Sequence, residues 1–236
     1  MIRGKLSLLL ELQAQDLRLR ELEVRIKRLN HRCAELERKI AERRAALEAK
    51  ERELEELRRE SRRRNDEVDA LDYKIRDYQR QLEEGIISYK EMEALREKIA
   101  LSRKRMEELE EQAIALMDEI DLREAELAEE EREITAWEAQ VRGEIAKLEG
   151  EIKARQAELE RGQRERAELA SRIEPYLLEQ YERLRGDFGY EDPLARVEGG
   201  SCSGCLIRIS ENALEKLREG RELVSCENCH RILYLE

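Results

Sequence analysis

Four cysteines near the end of the chain have the type and spacing of a metal site. They form two Cys-x-x-Cys pairs, Cys202 with Cys205 and Cys226 with Cys229, with 20 residues between the pairs. Two residues between cysteines allow a tight turn to aim both thiolates at one ion, and two such turns complete a tetrahedral set of sulfur ligands. The pattern predicts one Zn²⁺. Because protein atoms fill all four positions, the predicted role of the zinc is structural.

Two other chemistries stay open for these cysteines. The pairs also suit redox or disulfide chemistry, and the stretch Cys226–His230 matches the attachment pattern of c-type haem. The haem interpretation leaves Cys202 and Cys205 without a role. We interpret His230 as an ordinary residue of the turn rather than a ligand, and the fifth cysteine, Cys33, as a small core residue.

The residues around the cysteines predict a small metal-stapled α+β module, a zinc ribbon, over residues 201–236. Its predicted elements are three short strands and one helix capped by Ser210: Leu206–Ile209, Glu211–Arg218, Glu222–Ser225 and Arg231–Leu235. Residues 175–200 precede the ribbon as a short helix and a connector. The ribbon has little apolar bulk, so metal binding would supply on the order of 10 kcal/mol to its folding.

A heptad repeat occupies most of the chain before the ribbon. Apolar residues recur at 3–4 spacing from Leu8 to Leu82 and again from Met92 to Val141. In the first stretch, 17 of the 22 heptad positions that would face a partner helix, called the seam here, are apolar. A repeat of this length predicts a left-handed coiled coil rather than a surface helix. Because it is interrupted once, we predict a mainly α fold in which residues 1–174 form a long antiparallel coiled-coil hairpin.

The interruption at residues 83–88 predicts the bend of this hairpin. Gly85 can take the left-handed backbone conformation that ends a helix. Ser88 suits the N-cap of the next helix, and Glu91 completes a capping box with it.

A bend at this place also predicts which residues of the two helices face each other. Arg43 falls opposite Glu130, an ion pair that would penalise slipped registers. Lys50 falls opposite Arg123, a like-charge layer whose side chains would have to turn outward.

Composition and charge narrow the class of protein. With 44% charged residues and nine aromatics in 236 residues, the chain cannot enclose a globular core and must bury a narrow seam. No apolar run is long enough for a signal peptide or a membrane span, so we expect a cytoplasmic protein without membrane contact. The net charge of −11 disfavours long nucleic acid as the main partner. With two histidines and no phosphate-binding loop, an enzyme is not expected.

The whole pattern resembles a bacterial family that combines a long antiparallel coiled-coil hairpin with a C-terminal C4-type zinc ribbon. The matching segments are Tyr181–Arg185, Gly199–Cys205 and Cys226–Tyr234. The family usually has Gly after the last cysteine, where this chain has His230. The resemblance implies a non-enzymatic protein, and it suggests a sigma factor, flagellar or type III secretion components, or RNA as partners.

The leading functional hypothesis is a protein–protein interaction adaptor, and its simplest form is a spacer without a specific contact surface. Ile86, Ile87 and Tyr89 would be apolar groups at a solvated bend, which favours a protein contact there. Leu9 and Leu10 lie off the seam and would pack on the ribbon or on a second subunit.

Two alternatives involve nucleic acid or transcription. Zinc ribbons commonly bind RNA or DNA, and a run of arginines on the first helix is a candidate surface: Arg58, Arg59, Arg62, Arg63 and Arg64. On coiled coils such arginines usually pair with acids. By analogy with factors that insert a hairpin into RNA polymerase, Glu83 and Glu84 at the bend would suit a regulatory role.

Overall fold

The computed structural model describes residues 2–186, Gly189 and 192–235. Its elements are α1 (Ile2–Glu84), α2 (Tyr89–Ser171), α3 (Pro175–Gly186), β1 (Leu194–Glu198), β2 (Ser201–Cys202), α4 (Glu211–Glu219), β3 (Val224–Ser225) and β4 (Ile232–Tyr234). The predicted fold class is confirmed, since α1 and α2 form a long helical hairpin ahead of a small sheet. None of the helices described is long and apolar enough to cross a membrane.

The chain divides into two compact units. The bend unit is Glu35–Glu144, and the ribbon unit combines Met1–Ala34 with Ile145–Glu236. Within the bend unit α1 and α2 are antiparallel, because Lys50 contacts Glu130 while Arg58, later in α1, contacts the earlier Glu124. A seam of buried leucines and isoleucines stabilises this pairing, with each fully buried side chain contributing about 1.5–3 kcal/mol.

The predicted capping box at the bend is confirmed. The backbone N–H of Ser88 donates to Glu91 Oε2 at 2.8 Å, and the backbone N–H of Glu91 donates to Ser88 Oγ at 3.3 Å. These reciprocal bonds satisfy two of the amides that α2 leaves without a partner at its start. Hydrogen bonding from the Ser88 backbone lowers the pKa of Glu91, so the carboxylate that closes the box is favoured.

The conformation predicted for Gly85 is wrong, although glycine is required there. Gly85 is not among the residues with positive φ. Its N–H still donates to the Gln81 carbonyl at 3.1 Å, and a Cβ on Gly85 would lie 2.4 Å from that same oxygen. The helix therefore ends on a close backbone approach rather than on a left-handed residue.

The partners predicted for Arg43 and Lys50 are wrong. Arg43 lies over the ring of Trp137, 4.0 Å from its centroid, instead of meeting Glu130. Each Cβ on a helix points toward that helix's own N-terminus. In an antiparallel pair, a side chain of α1 therefore contacts a residue nearer the C-terminus of α2 than the residue that lies directly beside its own Cα.

The same shift removes the predicted like-charge layer. Lys50 Nζ lies 2.5 Å from Glu130 Oε2, so the lysine meets an acid rather than Arg123. Arg123 pairs within its own helix with Glu119, at 3.7 Å. The observed register thus replaces a repulsive layer by two ion pairs.

The ribbon unit contains a four-stranded sheet with the order β2-β1-β4-β3. β1 pairs in parallel with β4, and the two outer pairings are antiparallel. The predicted helix after Ser210 is confirmed, since Ser210 Oγ accepts from the Ala213 N–H at 3.3 Å. The predicted strand at Leu206–Ile209 is wrong, because its backbone turns back on the first cysteine pair and forms only an isolated bridge at Arg208.

β1, one of the two central strands of the sheet, lies in the segment predicted as a connector. It joins the start of α1 to the ribbon through one apolar core. Leu9 and Leu12 are fully buried in that core with Tyr181 of α3, Leu194 of β1 and Ile232 of β4. The prediction that Leu9 packs on the ribbon is therefore confirmed. The Leu194 N–H also donates to Gln13 Oε1 at 2.7 Å, so β1 is hydrogen-bonded directly to α1.

Candidate metal centre

The structure brings all four predicted cysteine ligands together. Cys202 ends β2 and Cys226 follows β3, while the second cysteine of each pair lies on the turn beyond. All four Sγ atoms lie within 4.8 Å of one another. Between the two turns, the Sγ atoms lie 3.8 Å apart for Cys202 and Cys229 and 3.7 Å apart for Cys205 and Cys226.

These distances fit zinc rather than disulfides. A disulfide needs about 2 Å between sulfurs, and none of the five cysteines forms a disulfide. A tetrahedral Zn²⁺ with sulfur at about 2.3 Å separates its ligands by about 3.8 Å. In the part of the chain that the structure describes, no other group of three or more His, Cys, Asp or Glu side chains could hold a metal.

The two cysteine turns have the same backbone geometry. In each, the residue after the second cysteine has a left-handed conformation, with φ of 63° at Leu206 and 61° at His230. Its N–H donates to the carbonyl of the first cysteine, at 2.8 Å to Cys202 and 2.9 Å to Cys226. His230 is therefore a turn residue in a position that favours glycine, which explains the family's usual Gly there.

Backbone N–H groups in both turns point at sulfur. Burial raises the pKa of the Cys202 thiol to about 12, although the Cys205 and Gly204 N–H groups favour its thiolate. Burial likewise raises the pKa of Cys226. A hydrogen bond from the Ile207 N–H lowers the pKa of Cys205 to about 6. The site is therefore built to hold thiolates once a cation compensates for burial.

The left-handed turn at Leu206 predicts a stabilising substitution. A non-glycine residue in this conformation costs about 1–2 kcal/mol, and the Leu206 side chain is 80% exposed, so little packing would be lost. After the greater flexibility of unfolded glycine is counted, Leu206→Gly should stabilise the zinc-bound ribbon by about 0.5–1 kcal/mol. The measurement is resistance to a zinc chelator.

Leu206→Ala is the matched control, because it removes the side chain and keeps the Cβ that causes the strain. Equal chelator resistance of the Gly and Ala variants would contradict the assignment of strain to this turn.

The other predicted site residues lie on the hairpin. At the bend Ile86 is fully exposed, Tyr89 is 75% exposed and Ile87 is half-buried. The predicted basic run is paired with acids throughout: Arg58 with Glu124 and Glu55, Arg59 with Glu55 and Glu56, Arg62 with Glu55, Arg63 with Glu60, and Arg64 with Glu60 and Glu67. This pairing offsets the positive charge that nucleic acid would need.

Sequence reasoning missed a buried ionic network beside the ribbon. The Asp16 carboxylate is buried on α1, and it accepts from the Tyr181 hydroxyl at 2.8 Å and from Arg166 Nε at 2.9 Å. Arg185 Nη1 lies 3.1 Å from Asp16 Oδ2, the oxygen that also accepts from Tyr181, and Arg166 also contacts Glu182. The only sequence signal for this network is the position of Asp16 next to the seam. Aspartates next to a coiled-coil seam are commonly solvated, so this signal does not predict burial.

The network shifts the pKa of two of its members. Although burial opposes the charge of Arg166, hydrogen bonds to Asp16 and Glu182 raise its pKa above the ordinary value. Burial and the neighbouring Asp16 charge raise the pKa of Tyr181, which therefore stays a hydrogen-bond donor. The network can hold α3 against both long helices, a structural rather than a catalytic role.

Fold and site together define the class of protein: a coiled-coil hairpin that carries a C4 zinc ribbon. The model of the CT398-like coiled coil hairpin domain matches residues 12–189, and that of the C4-type zinc ribbon domain matches residues 201–233. The chain therefore belongs to the CT398-like coiled-coil hairpin family. The ribbon and the clustered cysteines support one structural Zn²⁺. None of the curated proteins matches the chain.

Solved bacterial structures share the whole architecture. CT398 from Chlamydia trachomatis is 24% identical, with a TM-score of 0.79 and coverage of 100% of this chain and 99% of that one. A protein from Mycobacterium smegmatis is 22% identical, with a TM-score of 0.74 and coverage of 100% and 99%. HP0958 from Helicobacter pylori is 20% identical, with a TM-score of 0.59 and coverage of 99% and 98%. At these identities the likeness shows the fold.

Proposed function

We propose that this protein is a non-enzymatic adaptor that binds a partner protein through the bend of its hairpin, while zinc holds the ribbon folded. The observation that carries the proposal is the exposure of Ile86 and Tyr89, three positions apart at the bend. Large apolar side chains at a solvated turn stabilise nothing within the chain, and such groups tend to mark protein contacts.

The bend is also well ordered for a contact surface. The Ser88–Glu91 capping box fixes the start of α2, and the close approach at Gly85 fixes the end of α1. A preorganised loop loses less conformational entropy on binding than a flexible one. Because Ile87 is half-buried, the contact surface consists of Ile86 and Tyr89.

The metal site supports an adaptor rather than an enzyme. Four cysteines supply all four positions of a tetrahedral zinc, which leaves none for a substrate or an activated water. The family resemblance suggests a sigma factor or a component of flagellar or secretion assembly as the partners to test first.

The test is co-purification from the native host with the double variant Ile86→Ser and Tyr89→Ser. If each side chain contributes more than about 1 kcal/mol to binding, recovery of the partner should fall at least about tenfold. The result would be checked with the purified partner by a direct binding measurement.

A matched control is Ile114→Ser with Met117→Ser, which removes two exposed apolar side chains from α2 away from the bend. An unchanged partner set for the bend variant, or equal losses for both variants, would overturn the proposal.

A further inference from the structure

The negative charge of the chain is concentrated in the middle of α2. Residues 107–133 contain 13 acids and two bases, a net charge of −11 that equals that of the entire chain. The Lys50–Glu130 and Arg58–Glu124 contacts place residues 47–73 of α1 beside this stretch. That part of α1 holds ten acids and seven bases, so it adds to the negative charge rather than neutralising it.

A groove with an apolar floor lies within this acidic region, inside the bend unit. It has a volume of about 530 Å³ and is lined by Leu54, Leu57 and Leu127. Leu54 is buried and the other two leucines are half-buried. Six glutamates and three basic residues complete the lining. The volume falls in the range of sites that accept several apolar side chains.

The register explains why the seam opens here. Lys50 and Arg123 occupy seam positions, but their charged ends turn to Glu130 and Glu119 at the helix surface. Because these two side chains turn outward, no apolar side chain among the residues described fills the space between the helices at this layer. The neighbouring leucines are left partly uncovered as a result.

Two of the lining acids have no basic partner. The side chains of Glu53 and Glu126 make no ion pair or hydrogen bond within the described ranges, whereas each of the other four lining glutamates contacts Arg or Lys. Both are exposed at the rim of the groove. Their negative charges can pair with basic side chains of a molecule whose apolar groups contact the leucines.

We propose that this groove binds a cationic amphipathic helix of a partner protein, which adds a third helix to the middle of the hairpin. Apolar residues at i, i+3 and i+4 of that helix would contact Leu57 and Leu127, and its Lys or Arg residues would pair with Glu53 and Glu126. The site is separate from the bend and does not depend on the contact proposed there.

The test uses a fluorescein-labelled Leu/Lys peptide of about 18 residues, which is five helical turns, titrated with the full-length zinc-loaded protein at physiological ionic strength. Binding should weaken about tenfold for the double variant Glu53→Gln and Glu126→Gln, which removes two rim charges. The matched control, Glu93→Gln with Glu97→Gln, makes the same charge change outside the groove and should leave the affinity unchanged.

A second peptide, with every Leu replaced by Ser at the same charge, should bind at least about tenfold more weakly because it cannot use the leucine floor. Equal binding of both peptides, equal loss for both charge variants, or no binding at all would overturn the proposal. So would a protein dimer that dissociates on the Glu53/Glu126 change, since a second copy would then occupy the groove. The Ile86→Ser and Tyr89→Ser variant should bind the Leu/Lys peptide normally, which separates failure of this proposal from failure of the bend contact.

Discussion

Replacing Cys202 and Cys226 by Ser should abolish zinc binding and unfold the ribbon. The purified protein should contain about one zinc per chain, and the double variant none, because each turn then retains a single thiolate. Loss of the metal removes on the order of 10 kcal/mol of folding free energy from this small module. Metal analysis and amide hydrogen exchange over β1, β3 and β4 measure the two effects.

The effect should extend beyond the ribbon into the start of α1. Leu194 and Ile232 of the ribbon share a buried cluster with Leu9 and Leu12, so ribbon unfolding removes part of the apolar surface that covers these two leucines. Faster exchange is therefore expected in the first turns of α1, while the bend unit should keep its protection.

Cys33→Ser is the matched control, since Cys33 is half-buried on α1 and has no part in the site. It should retain full zinc and an intact ribbon. Zinc retained by the Cys202/Cys226 double variant, or a haem spectrum in the wild-type protein, would contradict the assignment.

The parts of the fold that could be predicted are those governed by short-range patterns. A heptad repeat broken once by Gly85 specifies a hairpin, and Ser88 with Glu91 specifies where the second helix begins, because capping acts within one turn. The two Cys-x-x-Cys pairs specify a metal site for the same reason, since each turn is a local structure that needs only four residues.

The errors arise where long-range geometry decides. The observed partners of Arg43 and Lys50 lie seven positions further along α2 than the predicted ones, because long side chains lean toward the N-terminus of their own helix and the heptad pattern does not encode that lean. The strand predicted at Leu206 does not form because the metal turn bends the chain immediately before it. β1 lies between glycine-rich segments, and its first three residues pair with β4, a contact between residues almost 40 positions apart.

The Asp16 network is the clearest case of a long-range feature, because its partners lie about 150 residues further along the chain. Tyr181 is fully buried and donates to Asp16, while Arg166 and Arg185 bring positive charge from α2 and α3. Removing one partner from a buried ionic network costs more than the network contributes as a whole, since the remaining charges stay desolvated.

Asp16→Ala should therefore loosen the docking of α3 strongly. Two arginines lose a buried carboxylate and the Tyr181 hydroxyl loses its acceptor, at a cost of about 3 kcal/mol. Arg166 retains Glu182, which keeps the cost at the lower end of the range for such networks. The expected result is amide exchange about a hundredfold faster over α3, measured by mass spectrometry.

Two further variants separate the ionic contribution from simple loss of packing. Tyr181→Phe keeps the buried ring and removes only the hydroxyl, so it should cost about 1 kcal/mol. Asp69→Ala removes an exposed carboxylate from the same helix and should change exchange in α3 little. If Asp16→Ala were no more damaging than Asp69→Ala, the ionic network would not hold α3 in place. The apolar cluster of Leu9, Leu12 and Tyr181 would then account for the docking of α3 by itself.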